Sequence, residues 1–83
     1  MSDTRVVRRL GSTPRERGSL QEGSCPDIFE LTNGDFAVIG TDAADDPGLL
    51  GSLPPDAGIA PYERIVIVSR ATIVHAKPDI PDH

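Results

Sequence analysis

Asn33-Gly34 sets the first constraint on how this chain can fold. The pair sits between Ile28-Phe29-Glu30-Leu31-Thr32 and Asp35-Phe36-Ala37-Val38-Ile39-Gly40, two runs rich in residues that favour extended backbone. Asn-Gly flanked in this way predicts a β-hairpin with a two-residue type I′ turn, because both central positions of that turn need positive φ. A two-residue loop pairs Leu31 with Phe36, Glu30 with Ala37, Phe29 with Val38 and Ile28 with Ile39. Side chains alternate faces along a strand, so Phe29, Leu31, Phe36 and Val38 are expected together on the core face. Asn33 and Gly34 are structural residues of the turn. On this reading Phe36→Ala should unfold the chain.

Glu63-Arg64-Ile65-Val66-Ile67-Val68 reads as a third strand, apolar on both faces and therefore well covered. Ser69 looks like the N-cap of a short helix over Arg70 to Ala76, which Lys77-Pro78 must end. The long connection over 41–62 admits a short helix within 42–53, with an aspartate N-cap and Pro47 in the first turn; Pro54-Pro55 closes it. The expected fold is α+β: a small antiparallel three-stranded sheet (hairpin 28–40 plus strand 63–68) with a short C-terminal helix. Gly, Ser and Pro punctuate residues 1–24, where only Val6, Val7 and Leu10 cluster as apolar. That stretch is expected to be a disordered basic arm, with at most a short turn over Thr4–Leu10, ahead of a small domain over 25–83.

At 83 residues this is one small domain with a thin stability margin. A single cysteine, Cys25, allows no internal disulfide, and no Cys/His spacing offers a structural zinc site. With 37% hydrophobic and 4% aromatic residues, the core must come mostly from Val, Ile and Leu. A partner or a second copy, as in a homodimer, would help such a core. Charge divides unevenly. Residues 1–20 carry five arginines against Asp3 and Glu16, a net +3; residues 21–83 carry three basic residues against eleven carboxylates, a net −8. An acidic body repels phosphate, which argues against direct nucleic-acid binding. No apolar run is long enough for a membrane span, and none follows the N-terminal arginines as a secretory signal would. A cytoplasmic location is expected.

Each candidate for chemistry has a plainer reading. Cys25 precedes Pro26 with no neighbouring base to lower its pKa, and His75 lies fifty residues further along. Asp42, Asp45 and Asp46 cluster, but without the alternating ligands, bend glycine and distal glutamate of a calcium loop. They suit helix capping or contact with a basic partner. The glycines form no phosphate-binding motif. No catalytic residue, cofactor or metal is therefore expected, and the chain reads as non-enzymatic.

Cys25-Pro26-Asp27-Ile28 and Gly34-Asp35-Phe36-Ala37-Val38-Ile39-Gly40 resemble a group of small actinobacterial proteins. Leu53-Pro54-Pro55-Asp56-Ala57-Gly58, Glu63-Arg64-Ile65-Val66 and Arg70 continue the likeness, which covers about residues 24–81. Such proteins are similar in layout to a domain-of-unknown-function family whose members often lie beside helix-turn-helix regulators of the XRE type. The resemblance implies an accessory protein that binds such a transcription factor and modulates it. Family members carry a continuous charged helix where this chain has Asp45-Asp46-Pro47-Gly48, so no docking surface carries over there, and no functional residues transfer. The other reading left open is a small ligand-binding or biosynthetic accessory protein, with a pocket between sheet and last helix.

Overall fold

The computed structural model describes residues 3–13, 15–16 and 26–82. Among these residues five strands and two short helices follow one another: β1 (Val6–Arg9), β2 (Asp27–Leu31), β3 (Phe36–Ile39), β4 (Thr41–Asp42), α1 (Pro47–Gly51), β5 (Val66–Ile67) and α2 (Arg70–Ala76). A single 3₁₀ turn, Lys77–Asp79, follows α2 directly. β1, β2 and β3 form an antiparallel sheet with β2 in the centre, and β4 and β5 form a second, two-stranded ladder. The α+β class, the hairpin, the short helix within 42–53 and the C-terminal helix all stand as the sequence implies.

The third strand of the main sheet is different from the one expected. It is β1, from the segment read as a disordered arm; strand 63–68 shrinks to Val66–Ile67 and pairs with Thr41–Asp42. Two effects hide β1 in the sequence. A bulge between Val6 and Arg8 breaks its two-residue alternation, and its arginines read as a solvated tail. Both are instead used locally: Arg8 Nε meets Glu30 Oε1 at 2.8 Å, and Arg9 Nε meets both Asp27 oxygens at 2.9 and 3.0 Å. The apolar run at β5 is not central either, since Val66 and Ile67 are both exposed.

The hairpin closes one residue differently from a type I′ turn. Leu31 donates to the Asp35 carbonyl at 2.9 Å and accepts from Gly34 N–H at 3.0 Å, enclosing a three-residue loop. Gly34 takes positive φ (91°), but Asn33 does not, as in a type I turn followed by a left-handed glycine. Asn33 acts through its side chain, whose Oδ1 accepts from Asp35 N–H at 3.0 Å. The register consequently slips by one: Glu30 pairs with Phe36, Phe29 with Ala37 and Ile28 with Val38. A one-residue slip redistributes side chains between faces. Phe29 and Leu31 now share one face, half-buried, while Phe36 and Val38 share the other with Ile28, and both are exposed.

The four hairpin residues assigned to the core are thus not the core. Buried apolar side chains among the described residues are Leu10, Ile28, Ala43 and Ala76, and Leu10, Ile28 and Ala76 form one cluster. α2 covers this cluster. Ser69 caps it as expected, accepting from Thr72 N–H at 3.2 Å. Phe36 is 42% exposed, so Phe36→Ala should cost no more than about 1–2 kcal/mol and leave the fold standing. A urea titration monitored by circular dichroism checks this against the wild type.

Candidate functional site

The Asp42, Asp45 and Asp46 cluster lies on the turn between β4 and α1, and two of its members have local duties. Asp42 Oδ1 accepts from Ala44 N–H at 2.9 Å, and Asp46 Oδ1 caps α1 by accepting from Leu49 N–H at 3.0 Å. Asp45 is exposed. Of the two aspartates at which the sequence admits a helix start, Asp42 and Asp46, it is Asp46 that caps α1. Asp45 is therefore the member whose charge can be changed without touching a hydrogen bond of the turn. No group of three or more His, Cys, Asp or Glu arranged to hold a metal ion occurs among the described residues. Cys25 lies outside them.

A second constellation, which the sequence did not reveal, ties β1 to the C-terminal end. Arg8 Nη2 donates to the Asp79 carbonyl at 2.9 Å, Gly11 N–H donates to Asp79 Oδ2 at 2.7 Å, and Ser12 Oγ meets His75 Nδ1. Ser12 and His75 are sixty-three residues apart, so no local spacing could signal the pair. A hydroxyl beside an imidazole is half of a nucleophilic arrangement, which also needs a group to orient the imidazole and donors for an oxyanion. Asp79 is nearby but accepts from Gly11 rather than from His75. The contacts read as a clasp: each joins β1 or the residues just after it to α2 or the 3₁₀ turn that follows.

On the other side of the sheet, Arg9 lies 5.4 Å above the Phe29 ring while bound to Asp27, a carboxylate only 4% exposed. A buried carboxylate needs a counter-charge and hydrogen bonds, and Ile28 N–H supplies a further bond at 3.2 Å. Arg9 thus serves the fold, and with Arg8 it is withdrawn from any role as a free basic arm.

What remains open is apolar. Val38, Ile39, Ile67, Ile73, Val74 and Tyr62 are all exposed, Tyr62 at 88%. A depression of about 450 Å³ runs along the 53–65 connection, lined by Leu53, Ile59 and Ile65, with Glu63 and Arg64 among its walls. No helix of the described residues is long and apolar enough to cross a membrane. No protein-family model, curated protein or solved structure matches the chain.

Proposed function

We propose that this protein is a non-enzymatic interaction module of the cytoplasm, an accessory or regulatory partner of a helix-turn-helix transcription factor. The observation that carries the reading is the mismatch between a small core and a large apolar exterior. Among the described residues a handful of buried aliphatic side chains stands against a dozen large hydrophobic ones left in water. Apolar side chains left in water in this number offer surface that another macromolecule can cover. Exposed Asp42, Asp45 and Asp46 add an acidic cluster that complements the basic surface of a DNA-binding domain and repels DNA itself. The resemblance to proteins encoded beside XRE-type regulators names the partner class.

The test is co-purification with an XRE-type helix-turn-helix regulator from the same organism, with both chains co-expressed; a gene of that class beside this one is itself an expected outcome of the reading. Wild type is expected to hold the regulator at low salt and to release it progressively as salt rises. Asp45→Lys should weaken the complex several-fold while leaving the circular dichroism spectrum unchanged, because no turn hydrogen bond depends on Asp45. Separate elution of the two chains at low salt would sink the regulator reading.

The depression along 53–65 favours a second reading, a small-molecule accessory. Its size is within the range of ligand sites, and apolar walls with one acid and one base suit a small amphipathic molecule. A rise in melting temperature on adding small amphipathic metabolites from a screening panel would support it.

A further inference from the structure

We propose that the outer edge of β3 is completed by a second copy of this chain, added antiparallel about a two-fold axis at Ala37. This goes beyond the regulator reading and does not depend on it.

The main sheet has two edges, and they are not alike. β1 is blunted by its bulge and by arginines drawn inward to Glu30 and Asp27, two of the devices that keep an edge from pairing with another chain. β3 has none of these. Phe36-Ala37-Val38-Ile39 holds no charge and no proline, and it pairs with β2 over four consecutive positions without a break. Backbone directions follow from the ladder. The Leu31 N–H bond to Asp35, together with the Leu10 N–H bond to the Ile28 carbonyl, shows that even-numbered residues of β2 address β1 and odd-numbered ones address β3. Ala37 and Ile39 accordingly face inward. Phe36 and Val38 turn both N–H and C=O outward, and among the described residues no strand lies beyond them.

Four outward groups on alternate residues match a copy of themselves. With Ala37 on the axis, Phe36 of each copy exchanges two hydrogen bonds with Val38 of the other, giving four new bonds. Phe36 and Val38 also stack as an aromatic and β-branched pair on one face, which covers side chains 42% and 47% exposed in the single chain. Ala37 meets its counterpart at the close, non-hydrogen-bonded position, where a small side chain fits. In this register Asp35 stands opposite Ile39 and Asp42 opposite Thr32, so no carboxylate opposes another. Two chains of net charge −5 still repel at long range, so added salt should tighten this dimer. A basic partner would show the reverse, which separates the two surfaces experimentally.

Sedimentation equilibrium on the full chain tests the proposal. Wild type is expected to be dimeric at high micromolar concentration, with association that strengthens as salt rises. Val38→Lys should weaken association at least about tenfold, equivalent to about 1.4 kcal/mol, with an unchanged circular dichroism spectrum. Val38→Pro is the second variant: it removes an outward N–H that no intrachain ladder uses, and it should also be a folded monomer. In a Cys25→Ser background, Ala37→Cys should form an intermolecular disulfide under oxidising conditions, because the geometry at the axis suits one. A wild type that stays monomeric at every concentration would overturn the proposal, as would a dimer that survives both Val38 variants without the Ala37→Cys cross-link. Either result leaves the regulator complex to be judged on its own experiment.

Discussion

Removing residues 1–12 is expected to abolish folding. The deletion takes away β1, the Arg9 partner of buried Asp27, and Leu10, whose side chain is 1% exposed between Ile28 and Ala76. Leu10→Ala is the graded form of the same experiment. Truncating a fully buried leucine costs about 2–5 kcal/mol through lost transfer energy and the cavity left behind. Small domains sit toward the low end of the usual 5–15 kcal/mol range, so the single substitution should bring the chain close to its unfolding midpoint without denaturant. Urea unfolding followed by circular dichroism, with the deletion and Leu10→Ala compared to wild type, checks both. A cooperative transition for the deletion chain at the wild-type midpoint would mean that the N-terminal strand is dispensable.

Gly11→Ala is expected to be nearly as severe, for a different reason. Gly11 has φ of 80°, where an added side chain is strained by about 1–2 kcal/mol. A Cβ there would also lie 2.7 Å from the carbonyl carbon and oxygen of His75 and 2.8 Å from the Ala76 nitrogen. Those atoms are helix backbone and cannot rotate aside, so the β1–α2 junction must open, losing the Gly11–Asp79 bond and cover for Leu10. A total of about 2–5 kcal/mol follows when strain and overpacking are combined. Gly34→Ala is the matched control. It shares positive φ (91°), but nothing lies within 4 Å of its added Cβ, so only the backbone strain applies. Thermal melts of the two variants should separate widely; equal melting temperatures would remove steric contact with α2 as the cause.

Local signals in the sequence were legible where the physics is local. Ser69 before Arg70–Ala76 and Asp46 before Pro47 act as the caps their chemistry suggests, each accepting from the backbone N–H three residues on. Gly34 makes the hairpin bend, and Asn33 differs only in that its side chain, not a left-handed backbone, closes the turn. That difference of one residue in loop length reassigned Phe36 and Val38 from the interior to the exposed part of the sheet. The β1 strand was illegible because nothing nearby in sequence marks it. Its bulge hides the alternation, and its ion partners Asp27 and Glu30 lie about twenty residues away. The same holds for Ser12 and His75. As for the candidate site, Asp42 and Asp46 prove to be held by the turn they form, which leaves Asp45 as the part of the acidic cluster free of that duty.

The Leu10–Ile28–Ala76 cluster also dictates an order of events during synthesis. The hairpin can close as soon as Ile39 emerges, because its contacts span only a few residues. Leu10, by contrast, waits for a partner sixty-six positions downstream. Until Ala76 has left the ribosome, Leu10 has only Ile28 to cover it, and the cluster stays open on its helix side. Such distant closure slows folding and prolongs the interval in which chains can associate wrongly. A cell making this protein therefore has reason to shield its first dozen residues while the rest is translated.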